Sequence, residues 1–354
     1  MDESNAWQTS RNERWKSAGG LAALALLALL ITRRLPAGAS FAGKVVVITG
    51  GSRGLGLALA RRLVQEKARV AILARDQEEL EKARRDLLAY GPPVTTWQID
   101  VKDDHAVSST IKKIAAALGG IDALINNAGE IVVGPLEAMN RKDFQDALDI
   151  HFWAPFNVIF ASLPHLQTST FARIANIASF GGKLAVPHLA PYCISKFALV
   201  GLSDALRSEL SSKNISLTTV APGLLRTGSH KNAFFKGDHR KEFTWFSLGA
   251  GNPLVSMSAD RAAGQILEAM RRRQPELTIT FAARIMTIAQ ALLPGMTADL
   301  MKVVARWLPR MSFPSQDQVF TGWESESTLS PSLLTLLADR ATESYNGSKN
   351  HSDG

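Results

Sequence analysis

Tyr192 and Lys196 stand four residues apart, so on a helix they share one face and set a titratable phenol beside a primary amine. Ser179 lies thirteen residues before Tyr192, at the end of an apolar run that reads as a strand. A phenol, an amine and a hydroxyl brought together are groups for moving a proton. Tyrosine and lysine at this spacing are by themselves a frequent accident, whose plain reading is a partly exposed helix pair. A second constellation lies upstream. Directly after the first predicted strand comes Thr49-Gly50-Gly51-Ser52-Arg53-Gly54-Leu55-Gly56. Glycines at 50, 54 and 56 permit a tight turn and let the backbone approach a pyrophosphate, which sits on the positive N-terminus of the following helix. A lone glycine-rich turn is weak evidence. This one has the strand before it and the helix after it.

The end of the second predicted strand bears on which dinucleotide binds. An acidic side chain there would accept from the ribose 2′-hydroxyl of NAD. The sequence has Ala74-Arg75 instead, and Arg53 lies within the glycine loop. Two guanidiniums suit a 2′-phosphate, so the reading favours NADP(H). The plain alternative for Arg75 is a solvated loop residue. Asp76 comes one position late and reads as a helix cap, with Glu79 completing a capping box.

The elements that must hold these residues alternate. Strand patterns fall at 45–49, 70–74, 94–99, 121–125, 174–178 and 215–220, with 277–280 as a candidate last strand and helical patterns between them. Such alternation predicts an α/β fold, a single Rossmann-like doubly wound parallel sheet with helices on both faces. The stretch 223–257 lacks a strong period and carries Phe234, Phe235, Phe243, Trp245 and Phe246. It reads either as a substrate lid or as helices packing those rings into the core.

Glycines 50, 54 and 56, Asn126-Asn127-Ala128-Gly129 after the fourth strand, Ser179, Tyr192, Lys196 and Pro222-Gly223 together resemble the short-chain dehydrogenase/reductase superfamily from about residue 43 to 280. The resemblance implies hydride transfer between nicotinamide C4 and a carbonyl or alcohol carbon. Tyr192 would be the acid/base, its phenol brought down from near 10 by the Lys196 ammonium. Lys196 would also hold the nicotinamide ribose, and Ser179 the substrate oxygen. Gly50, Ser52, Arg53, Gly54, Leu55, Gly56, Arg75, Asp100, Val101, Asn127, Ala128, Gly129, Pro222, Gly223 and Thr227 would line the cofactor. One departure stands out: the family often has an asparagine where Asp149-Ile150-His151-Phe152-Trp153 places His151. His151 would either serve the proton relay to Lys196 or be a satisfied structural histidine.

Around this core, residues 1–40 form a separate segment, in which 18–31 is free of charge and flanked by Arg and Lys. That run predicts a membrane-associated location through an N-terminal single-pass or interfacial anchor, with a cleaved signal or a core helix as alternatives. After the catalytic domain at 41–280, residues 281–311 read as an amphipathic extension. Leu300, Val304, Trp307 and Met311 share one face and Lys302, Arg306 and Arg310 another, which fits a membrane interface or a helix docked on the domain. Residues 312–354 read as a polar, partly disordered tail. The 354 residues are 46% hydrophobic and 20% charged, with a formal net charge of +8, an ordinary globular balance. No nucleic-acid motif is present, and the single cysteine, Cys193, and seven scattered histidines offer no metal-ligand spacing. Expected partners are a small apolar alcohol, ketone or aldehyde, membrane lipid, and a second copy of the chain. A dinucleotide-binding sensor without turnover is the alternative function.

Overall fold

The protein is described from a computed structural model that covers residues 39–253, 255–310, 318–327 and 335–347. Seven runs form one parallel sheet: β1 Val45–Thr49, β2 Arg69–Ala74, β3 Thr95–Gln98, β4 Ala123–Asn126, β5 Arg173–Ile177, β6 Ser216–Pro222 and β7 Glu276–Ile279. Their spatial order is 3-2-1-4-5-6-7, every neighbouring pair parallel. The order reverses between β1 and β4, and a crevice opens at the carboxyl ends of strands at such a switch point. β1, β4 and β5 are buried at every position, which is why they read as unbroken runs rather than alternating ones.

Helices cover both faces: α1 Gly54–Gln65, α2 Gln77–Leu87, α3 Asp104–Leu118, α4 Arg141–Leu148, α5 Ala154–Leu166, α6 Ala190–Ser211, α7 His239–Gly251, α8 Ala259–Arg271, α9 Phe281–Leu292, α10 Pro294–Trp307 and α11 Leu336–Ser344. Strand side chains alternate between the faces. Val46, Ile48 and Ile72 therefore meet Leu57 and Leu63 of α1, Leu80 of α2 and Ile266 of α8. Val47, Leu124 and Ile174 point the other way, to Ile111 of α3, Ile159 of α5 and Leu210 of α6.

The structure bears on four expectations. Within 223–257, α7 buries Phe243 and Phe246 with Phe235, Val133, Leu189 and Cys193, so these aromatics form a core cluster and not an open lid. The extension at 281–310 is two helices, because Pro294 starts a new one. The described part of the tail is ordered: Phe320–Thr321 pairs antiparallel with Phe234–Phe235, and α11 packs on α7. The membrane-associated location is also corrected. Among the described residues no helix is long and apolar enough to cross a membrane. The 12 residues of α9 and 14 of α10 reach about 18 and 21 Å, short of a hydrocarbon core of about 30 Å. The 22-residue α6 is interrupted by Lys196, Asp204, Arg207 and Glu209. The apolar run 18–31 lies outside the described residues.

Candidate active site

Gly50 and Gly54 have φ of +64° and +56°, a backbone region that favours glycine. Space demands it as well. A Cβ at Gly50 would stand 2.9 Å from the Ala128 Cα, and one at Gly56 would collide with the Gly50 carbonyl and the Asn127 amide. Asn127 fastens this approach by donating from Nδ2 to the carbonyls of Thr49 (3.1 Å) and Gly50 (2.9 Å). Thr49 Oγ1 accepts from the N–H groups of Asn127 and Ala128 at 3.0 and 3.1 Å. The N-cap of α1 is Arg53, whose side chain makes no capping bond. The first turn of α1 thus presents donors to an anion.

A groove of about 370 Å³ follows. Of the residues singled out from the sequence, Gly50, Ser52, Arg53, Gly54, Leu55, Arg75, Val101, Asn127, Ala128, Gly129 and Thr227 line it. Six others expected at the cofactor do not border it: Gly56, Asp100, Tyr192, Lys196, Pro222 and Gly223. Gly56 packs behind the loop, and Asp100 accepts from the Lys102 N–H at 3.0 Å to close a turn. Pro222 ends β6 against Ile279, and Gly223 backs onto Thr280.

The cations at the groove's mouth are already paired. Arg53 donates to the Glu79 carboxylate at 2.7 Å and to Asn232 Oδ1 at 3.0 Å. Ser52 Oγ donates to the same carboxylate at 2.9 Å. Arg75 bonds Glu130, which follows Gly129 on the opposite wall. Asp76 caps α2, accepting from the Glu79 N–H at 2.9 Å, but the Glu79 side chain turns to Ser52 and Arg53 instead of completing a capping box. The roles of Glu79, Glu130 and Asn232 were not read from the sequence.

Past the groove lie the phenol and its neighbours. Ser179 follows β5 and caps the turn Phe180–Gly182, its Oγ accepting from the Gly181 N–H at 3.0 Å. It also works against the burial that pushes the Tyr192 phenol up to about 12. Lys196, one turn on in α6, lies with Nζ 5.7 Å from the centre of the Tyr192 ring and donates to the Ile177 carbonyl at 2.9 Å. Burial pushes its ammonium down to about 7. The expected fall of the Tyr192 pKa is therefore reversed in this state: desolvation, with only Ser179 acting against it, holds the proton on the phenol.

His151 sits in a π-helical turn, Asp149–Trp153, between α4 and α5. Its Nε2 accepts from the Glu130 N–H at 3.3 Å, which leaves the proton on Nδ1, 2.8 Å from Ser195 Oγ. Ser195 Oγ donates on to the Tyr192 carbonyl at 2.8 Å. Burial first, and the Lys196 charge second, hold the imidazole well below its ordinary pKa and neutral. Its ring meets that of Tyr192 edge-on at 5.4 Å. His151 thus braces the backbone after Gly129 and the Tyr192 turn. Ser195 was the missed partner. A second cavity of about 220 Å³ opens on Tyr192, walled by Val132, Ile150, Pro191, Phe234 and Val319, with Glu130, Asp143 and Asp146 also along it. Among the described residues no His, Cys, Asp and Glu cluster could hold a metal ion.

The short chain dehydrogenase family model matches residues 44–236. The provisionally named oxidoreductase SadH of Mycobacterium tuberculosis is 31% identical over 274 residues, covering 76% of this chain and 98% of that one. The 3-dehydrosphinganine reductase TSC10B of Arabidopsis thaliana is 40% identical over 181 residues, 50% of this chain and 54% of that one. A short-chain dehydrogenase from Streptomyces avermitilis superposes with a TM-score of 0.64 at 26% identity, over 75% of this chain and 98% of its own. Fold, glycine loop and these likenesses agree: the chain belongs to the short-chain dehydrogenase family, oxidoreductases that act on CH–OH and C=O groups with a nicotinamide dinucleotide.

Proposed function

We propose that the protein is an NADP(H)-dependent oxidoreductase in which Tyr192 transfers the proton between itself and the oxygen of an apolar alcohol or carbonyl substrate. The observation that carries this reading is Tyr192, whose phenol is influenced by Ser179 and which lines a cavity of largely apolar side chains. The bound dinucleotide supplies or accepts the hydride at nicotinamide C4. Ser179 donates to the substrate oxygen where negative charge develops. Tyr192, which burial keeps protonated, then gives that oxygen its proton in the reducing direction. Lys196, close to the phenol and half titrated near neutrality, favours the phenolate left behind.

The preference for NADP(H) is supported by Arg53 and Arg75, two guanidiniums at one groove mouth that suit a 2′-phosphate. The loop from Gly50 to Leu55 would receive the pyrophosphate, Val101 the adenine side, and Asn127 to Gly129 with Thr227 the inner part of the cofactor. The apolar substrate class is supported by the walls of the Tyr192 cavity and by the likeness to a protein named for reducing 3-dehydrosphinganine. Self-association is supported by Trp153, Phe160, Ile194 and Phe197, exposed apolar side chains on or beside α5 and α6.

Tyr192→Phe tests the central role. NADPH oxidation over a panel of ketones and aldehydes should fall about 10²-fold to 10⁴-fold, as for loss of a positioned acid, with the dissociation constant for NADPH within about twofold of wild type. Retained turnover would remove Tyr192 from the chemistry.

A further inference from the structure

The described end of the tail, outside the family match, reaches back to the glycine loop. The Tyr345 carbonyl accepts from the Gly54 N–H at 3.0 Å, occupying the first donor of α1. Asn346 Nδ2 donates to the Ser52 carbonyl at 3.3 Å. On α1 itself, Arg61 donates to the Ser344 carbonyl at 2.8 Å and lies 4.9 Å from the centre of the Tyr345 ring. The same segment grips the opposite wall of the groove. A Cβ at Gly228 would stand 2.8 Å from the Thr342 Cα, and buried His230 bonds Asp339 at 3.1 Å. Thr227 and Asn232, on either side of these contacts, border the groove.

We propose that residues 336–347 are a positioning element of the cofactor site, a strap that holds the glycine loop in the form that receives the pyrophosphate. The proposal rests on the reading of that loop as a dinucleotide site. A loop with two glycines at positive φ loses much conformational freedom when it is fixed. Contacts that fix it beforehand remove that cost from binding. The Tyr345 carbonyl also takes the Gly54 donor and so directs an anion to the next N–H groups, those of Leu55 and Gly56, which a helix leaves without an intrahelical acceptor. Pyrophosphate is common to both nicotinamide dinucleotides, so the strap acts on NADPH and NADH alike. Coupling is reciprocal: a dinucleotide on the loop steadies the strap.

The test uses the full-length protein and two variants, Asn346→Ala and Tyr345→Ala/Asn346→Ala, each titrated with NADPH and with NADH. The double variant should bind both dinucleotides about fivefold to tenfold more weakly, the range of ordinary coupling between sites. Asn346→Ala alone should bind both about twofold to fivefold more weakly. Turnover at saturating NADPH should stay within about twofold of wild type. In wild type, NADPH should slow amide exchange across 336–347. Unchanged dissociation constants in both variants overturn the proposal, and so does exchange in 336–347 that ignores NADPH. A loss confined to NADPH overturns it too, since that would place the effect at the 2′-phosphate. Wild type that binds neither dinucleotide would instead sink the cofactor reading, and the strap with it.

Discussion

The two ends of the site are built on different principles. Around Tyr192 the polar side chains are tied largely to backbone: Lys196 to the Ile177 carbonyl, Ser179 to the Gly181 N–H, His151 to the Glu130 N–H and Ser195 to the Tyr192 carbonyl. At the mouth, Arg53 and Arg75 are tied to carboxylates, Glu79 and Glu130. A backbone partner is fixed by the fold and brings no net charge. A carboxylate partner is an anion already seated on the cations that would bind one, so a phosphate must displace or share it. On the proposed function the inner end is preorganised for one job, whereas the outer end would have to exchange partners when an anion binds. Substitutions inside should act on rate and on the cost of burial, and those outside on affinity.

Arg75→Asp presses this contrast hardest, because it removes a cation and faces Glu130 with a second carboxylate. The dissociation constant for NADPH should rise at least about tenfold while that for NADH changes little, the scale of one charge-assisted bond lost to a partly exposed arginine. Equal changes for both dinucleotides would erase the distinction between the ends. Lys196→Met probes the inner end through stability. Burial holds Lys196 near 7, below an unfolded value of about 10.4, so the unfolded chain binds more protons between these limits. Wild-type stability should therefore rise with pH from about 7 towards 10, by at most about 1.4 kcal/mol per pH unit, and be lost as pH falls through the folded value. The methionine variant should lack that rise when melting temperatures are compared at about pH 7 and 9.5. His151 is held below its ordinary pKa and Tyr192 above its own, so both titrate outside this window. The buried Cys193 thiol, pushed up, opposes the rise alike in wild type and variant, so the difference between the two profiles is what reports Lys196. Parallel profiles would mean that Lys196 is not held near 7.

What the sequence disclosed divides along the same line. The glycine loop, the buried strands and the Tyr192–Lys196 spacing are local patterns, and they could be read without knowing what lies across the fold. The sheet order agrees with the expected doubly wound fold. Glu79 was misread because its position three after the Asp76 cap fits a capping box, while its actual partners are Ser52 and Arg53, 27 and 26 residues away. Residues 223–257 looked structureless because α7 carries Gly249 and Gly251 and buries its rings against distant Val133 and Leu189. The order in the tail depends on contacts such as Asn346 with Ser52, 294 residues apart. His151 lies in a π-helical turn, to which a 3.6-residue period is blind. The depth of Tyr192 was equally hidden, and it reverses the expected direction of its pKa.

Glu79→Gln is the smallest and most discriminating perturbation of the outer end. Glutamine keeps the length and an acceptor oxygen, so Ser52 and Arg53 can still be held, but the competing charge is gone. The Arg53–Glu79 pair is partly exposed, with side chains at 37% and 16% of full accessibility, and such pairs are worth about 0.2–1 kcal/mol. Releasing Arg53 from that competition should tighten NADPH binding by up to about fivefold and leave NADH unchanged. Paired fluorescence titrations at fixed ionic strength would read the difference. Weaker NADPH binding would give Glu79 the opposite role, as the support that aims Arg53 and Ser52, and the mouth would then be as preorganised as the interior.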